Sequence, residues 1–152
     1  MLTLRKATQF DSNSILQLSN DSFVRQQSFS SEKISPATHK EWFAKKIDSK
    51  DCLFYVVEKN GQMAGQLRFD INSKIALISI SLCPKYRGQG LAHEIIDLGI
   101  TLASHEQELQ AVHAYIKNNN ATSIKVFERL GFIETTETKG LHLNSKTFEL
   151  KL

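Results

Sequence analysis

The sequence predicts one α/β (α+β) domain over residues 1–152, built on a mixed, mostly antiparallel central sheet of about seven strands flanked by four helices. Three observations carry that prediction. Between Leu53 and Leu82 the apolar residues keep a period of two, interrupted at Asn60-Gly61 and near Asn72-Ser73, which is the pattern of a three-stranded antiparallel meander. Beyond Pro84, glycines 88 and 90 lead into Ile95, Ile96, Leu98, Gly99 and Leu102 at helical spacing. A strand, a helix and two further strands then complete the order β-α-α-β-β-β-α-β-α-β-β.

Taken along the chain, Leu2 and Leu4 mark a short first strand, and Asp11 is positioned to cap a helix carrying Ile15, Leu16 and Leu18. The polar stretch from Asn20 to Ser35 reads as a functional loop or a short helix. Ser35-Pro36 opens a helix with Trp42, Phe43 and Ile47 on one side. The meander comprises Leu53 to Glu58, Gln62 to Asp70 and Lys74 to Leu82. Ala111 to Ile116 is a buried strand, Asn120 caps a helix through Val126 and Leu130, and Gly131 ends it. Phe132 to Thr138 and Lys146 to Leu152 are the closing strands.

Composition narrows the function. A net charge of +3 with Lys and Arg spread along the chain is too mild for a dedicated nucleic-acid binder and suits an anionic small molecule. The longest apolar stretches fall far short of the roughly twenty residues of a membrane span, and Met1-Leu2-Thr3-Leu4-Arg5 is no signal peptide, so a cytoplasmic protein without membrane partners is expected. Cys52 and Cys83 have neither disulfide-framework nor zinc-site spacing. His93, His105, His113 and His142 form no ligand pair, and no metal is expected.

The chemistry concentrates where strand, proline and glycine turn meet, in Arg87-Gly88-Gln89-Gly90-Leu91-Ala92. Glycines here let the backbone approach a ligand and turn N–H groups toward it, and the helix starting near Leu91 adds the positive end of its dipole. Arg87 can add a charge-assisted hydrogen bond. The segment reads as an anion site.

In this form it resembles the CoA loop of the GCN5-related N-acetyltransferases, Arg/Gln-x-x-Gly-x-Gly/Ala, with Arg87, Gly90 and Ala92 at the fixed positions. A second block of that family, Asn-x-x-Ala/Ser-x-x-x-Tyr/Phe-Glu-x-x-Gly-Phe, is matched by Asn120, Ser123, Phe127, Glu128, Gly131 and Phe132. The resemblance implies acetyl-CoA as co-substrate and direct transfer of acetyl to a primary amine. It implies that Ile80 and Leu82 pair with the pantetheine arm, that the Leu82 N–H polarises the thioester carbonyl, and that residues 87–92 hold the pyrophosphate. Asn120 then caps its helix, contacts pantetheine, or does both. Where many members carry a tyrosine that protonates the departing thiolate, this chain has Phe127, leaving that step to water or to a hydroxyl such as Ser81 or Tyr115.

For the acceptor, Asn20, Arg25, His39 and Trp42, with Arg68 on the third strand, resemble the pattern of the pseudaminic-acid-pathway acetyltransferases, which act on UDP-linked amino-dideoxysugars. The implied substrate is a nucleotide-linked amino sugar. His39 and Asp70 are the candidate general bases. Acetylation of protein N-termini, a non-catalytic acyl-CoA-binding module, and assembly as a homodimer are the alternatives left open.

Overall fold

The computed structural model describes residues 1–136 and 144–152. Its strands are β1 (Leu2–Lys6), β2 (Cys52–Lys59), β3 (Gln62–Asn72), β4 (Ile75–Leu82), β5 (Ala111–Lys117), β6 (Ile133–Thr135) and β7 (Ser145–Lys151). The helices are α1 (Ser12–Ser19), α2 (Ser22–Gln27), α3 (Pro36–Asp48), α4 (Leu91–Glu106) and α5 (Ala121–Arg129). Among the described residues there are five α-helices rather than four, because Asp21 caps a short helix inside the polar stretch by accepting the Phe23 and Val24 N–H groups. The strand expected from Phe132 to Thr138 ends at Thr135 as β6, and Thr138 and His142 lie outside the described residues.

Asp11 occupies the N-cap position of α1 but gives that helix no side-chain hydrogen bond. Its carboxylate instead takes two guanidinium bonds from Arg5 at 2.8 and 2.9 Å and the Thr8 N–H at 2.8 Å, closing the single 3₁₀ turn that precedes the helix. The first meander turn is Asn60-Gly61, both at positive φ as a two-residue hairpin requires. The second uses Ser73 and Lys74 at φ 51° and 66°, so β4 begins one residue later than the pattern of apolar positions suggests.

The strands form one seven-stranded sheet in the order β1-β2-β3-β4-β5-β7-β6. Period-two alternation divides its faces. Tyr55, Val57, Leu67, Phe69, Ile78 and Val112 pack under α4 in the larger core, while Cys52, Phe54 and Val56 meet Ile15 of α1 and Phe43 of α3 on the other side. All neighbouring strands are antiparallel except β4 and β5, whose parallel pairing covers only Ile75–Leu77 against Ala111–His113. Beyond that point each strand stays paired on its outer edge, β4 with β3 out to Leu82 opposite Gly65 and β5 with β7 out to Lys117 opposite Ser145. The sheet therefore splays open in its middle.

Two glycines fix how tightly the layers approach. A methyl group at Gly65 would run into the Ser81 carbonyl of β4, and one at Gly99 would fall on the fully buried Leu67 side chain. Gly99→Ala is expected to lower stability by about 1–3 kcal/mol through overpacking of α4 on the sheet, read as a lower urea midpoint with unchanged slope.

Candidate active site

A cleft of about 930 Å³ occupies the splay, walled by Leu77–Leu82 of β4, residues 114–117 of β5, the turn before α4, the start of α5 and the inner side of α2. The sequence builds its β4 wall through strand alternation. Cys83 gives its N–H to the Ala64 carbonyl of β3 at 2.8 Å, so odd-numbered residues of β4 face β3 with their backbone donors. The N–H groups of Ile80 and Leu82 consequently point the opposite way, into the opening, where β5 has already diverged.

At the cleft mouth Gly88 and Gly90 both adopt φ 73°, a left-handed conformation that disfavours side chains, and an added Cβ at either would meet nothing within 4 Å. Gly90 is the N-cap of α4, so the first N–H groups of that helix are without intrahelical partners and face the same mouth through Leu91 and Ala92. Gln89 departs from expectation, because its side chain turns back to the Lys85 carbonyl at 2.9 Å and does not line the cleft. Arg87 also differs from a free phosphate ligand. Its Nε donates to the Leu82 carbonyl at 3.0 Å, its Nη2 to Asp21 Oδ2 at 2.7 Å, and its guanidinium lies 4.6 Å from the centre of the Phe23 ring.

On the β5 side, Asn120 caps α5 by accepting the Ser123 N–H at 3.3 Å and also lines the cleft. Phe127 is buried edge-on to Phe132, with ring centres 5.0 Å apart, and presents carbon alone to the opening.

Arg68, Asp70, Ser79 and Ser81 line the cleft from the sheet face that carries α1 and α3. Asp70 is ionically committed, receiving Lys46 Nζ at 2.7 Å and Arg68 Nε at 2.9 Å. Burial would raise its pKa, but Arg68 and Lys46 outweigh burial and hold the carboxyl below its ordinary range, which makes it a weak base. Gln66, almost fully buried, donates to Ser81 Oγ at 3.2 Å and more loosely to Ser79 Oγ at 3.4 Å.

The remaining acceptor candidates are not at the cleft. His39 is 2% exposed, stacks on Phe43 at 5.5 Å, and donates from Nε2 to the Ser12 carbonyl at 3.0 Å, so it joins α3 to α1 and is no general base. Both ends of the Asn20 amide bind Ile34, at 2.7 and 2.8 Å, closing the segment onto itself. Arg25 spends its guanidinium on the Ser19, Ser30 and Glu32 carbonyls and the Ser28 hydroxyl. Trp42 packs on the smaller core and serves as a platform 5.0 Å beneath the Arg68 guanidinium. Two residues absent from the expectations, Gln66 and Phe23, do border the chemistry. An alternating pattern gives Gln66 an inward position, whereas nothing local signals that Phe23 faces Arg87.

Among the described residues no group of three His, Cys, Asp or Glu could hold a metal, and no helix is long and apolar enough to cross a membrane. An opened parallel strand pair with inward amides, bounded by a glycine turn and a helix N-terminus, makes a cleft suited to an extended ligand with an anionic end. Residues 1–133 match the family model described as an acetyltransferase (GNAT) domain, and the chain belongs to that family. It is an acetyl-CoA-dependent N-acetyltransferase. A Bacillus subtilis protein provisionally named as a phosphinothricin acetyltransferase, YwnH, is 25% identical, over 99% of this chain and 96% of its own. The fold is shared with the Vibrio cholerae spermidine N-acetyltransferase bound to CoA and spermine (TM-score 0.88, 21% identity, 99% and 95% of the two chains). It is shared also with YncA of Salmonella typhimurium with acetyl-CoA (TM-score 0.79, 22% identity, 99% and 94%).

Burial pushes the His39 pKa down, opposed by the Ser12 carbonyl, so the folded protein keeps the ring neutral while the unfolded chain protonates it near pH 6.5. Its contribution to stability is full above that pH and is lost as pH falls toward the lower folded value. His39→Gln should flatten the acid side of the stability-versus-pH curve, measured by urea midpoints, and leave acetyl transfer at neutral pH nearly unchanged.

Proposed function

We propose that the enzyme acetylates the primary amine of a small molecule that also carries an acid group, by direct attack within a ternary complex. One observation carries the acceptor class. Arg68 is anchored through Nε to Asp70 and lies over Trp42 and Phe54, at 5.0 and 5.8 Å, while its two Nη groups have no partner among the described residues and its side chain lines the cleft. A guanidinium held flat with its fork free suits a carboxylate, phosphinate or phosphate. With Lys46 beside it and Asp70 the sole carboxylate of the trio, this corner is cationic and disfavours polyamines.

Phosphinothricin, an amino acid with a phosphinate, belongs to the proposed class, and spermidine does not. A nucleotide-linked amino sugar is also anionic, but of the contacts expected for it only Arg68 reaches the cleft; Asn20, Arg25, His39 and Trp42 are engaged elsewhere.

The residues present fit acetyl-CoA, which supplies an acetyl group activated as a thioester. The open glycine cradle at Gly88 and Gly90, with the N-terminus of α4 at Leu91 and Ala92, would receive the pyrophosphate, and the Ile80 edge would pair with the pantetheine. The Leu82 N–H would donate to the thioester oxygen as negative charge grows on it. Asn120 would contact the arm from α5. As the amine nitrogen bonds to the acetyl carbon, the carbon–sulfur bond breaks, the thiolate leaves, and the amine proton passes to water in the open cleft. Asp70 is too stabilised as a carboxylate to take that proton, and Phe127 has none to give. A thiol pKa of about 8.5 lets the thiolate depart without an acid, and the hydroxyl-bearing Ser81 and Tyr115, which both line the cleft, are the candidate donors to it.

Free-CoA release should be followed with acid-bearing amines, spermidine, amino sugars linked to UDP, and N-terminal peptides. The acid-bearing amines should be the best substrates, and Arg68→Gln should raise their KM about 10- to 100-fold with little change for acetyl-CoA, as loss of a charged hydrogen-bond partner implies. Faster turnover of spermidine, or an unchanged KM in the variant, would overturn this acceptor class.

A further inference from the structure

Asp21 joins two parts of the site that lie far apart in sequence. Its Oδ2 caps α2 through the Phe23 and Val24 N–H groups, at 3.1 and 3.2 Å, and also accepts Nη2 of Arg87 at 2.7 Å. Arg87 is then held on three sides, by Asp21, by the face of the Phe23 ring and by the Leu82 carbonyl. That carbonyl belongs to the Leu82–Cys83 peptide, whose N–H is fixed in turn on the Ala64 carbonyl at 2.8 Å. A peptide held at both its oxygen and its nitrogen is restrained from rotating, which limits ψ of Leu82 and so the orientation of the preceding peptide that carries the Leu82 N–H.

We propose that Asp21 is a positioning residue for acyl transfer, aiming the Leu82 N–H through Arg87 and the Leu82–Cys83 peptide. The inference rests on the reading of Leu82 as the donor to the thioester oxygen. It assigns the loop arginine chiefly to holding β4 rather than to gripping phosphate. The pair is partly buried, with side chains 24% and 21% exposed, so it is shielded better than a surface ion pair. The same contact ties α2, whose Val24 and Gln27 line the cleft, to the β4 wall.

Asp21→Asn isolates the effect, because asparagine caps a helix about as well as aspartate while the charge on Arg87's partner is lost. Asp21→Ser, which also caps, guards against a fold defect peculiar to one variant. Three quantities are read: kcat, the Kd of CoA by calorimetry, and the infrared carbonyl band of bound 1-¹³C-acetyl-CoA without acceptor. The expected result is a kcat lower by about tenfold in both variants, a CoA Kd within about twofold of wild type, and loss of the band's shift to lower frequency. A variant that keeps both the shifted band and the wild-type kcat overturns the role of Asp21 while leaving Leu82 as donor. Tighter CoA binding with unchanged kcat also overturns it, since Arg87 would then have been freed for the phosphates. A wild-type band that does not shift on binding removes the Leu82 reading and this inference together.

Discussion

The constraint on which the site depends is the unequal treatment of the two edges of β4. Its β3 edge is paired through to Leu82, and even Cys83 continues the ladder to Ala64, whereas its β5 edge is paired only to Leu77. A half-released central strand is costly in most sheets, because buried backbone donors lose their acceptors. Here the released donors at Ile80 and Leu82 are the ones an extended acyl-CoA could use, and the opening they face is bounded by the glycine turn. Gly65 lets β3 come close enough to hold β4 at this point, and the unshifted β3–β4 register, with Gly65 opposite Leu82, carries on to Ala64 and Cys83.

Around that strand end the charged side chains divide into structural and available ones. Arg25 and Asp70 are committed to neighbours, Arg87 is tied through Nε and Nη2, and Asn20 and His39 bond main-chain groups of adjoining segments. Arg68 differs in keeping its fork free among the described residues while its Nε is tied down, and the proposed acceptor class rests on this contrast. With no hydroxyl at Phe127 and a stabilised carboxylate at Asp70, the proposed reaction moves its protons through water and serine.

Much of the fold was legible because the local chemistry admits few alternatives. Gly88 and Gly90 stand where φ is positive, Asn60-Gly61 makes the hairpin, Ser35 and Asn120 cap their helices, and a period of two marks the strands of the meander between its turns. The segment 20–35 was misleading for a physical reason. An irregular segment must satisfy its own carbonyls, and Asn20 and Arg25 do this, so residues that look like ligands are internal fasteners. His39 was misread because an exposed and a buried histidine on a first helical turn look alike until the Ser12 carbonyl is placed. The Asp21–Arg87 contact joins α2 to the turn before α4, and no local pattern announces such a pair.

The central claim is that the Leu82 end of β4 and the glycine turn together receive acetyl-CoA. Titration of the ¹⁵N-labelled protein with acetyl-CoA, followed by amide proton and nitrogen shifts, tests it most directly. The largest changes are expected on Ile80, Leu82, Gly88, Gly90, Leu91 and Ala92, with Leu82 moving downfield as its N–H gains an acceptor. Changes concentrated at Asn20, Arg25 and His39, with Leu82 and the glycines unmoved, would contradict it.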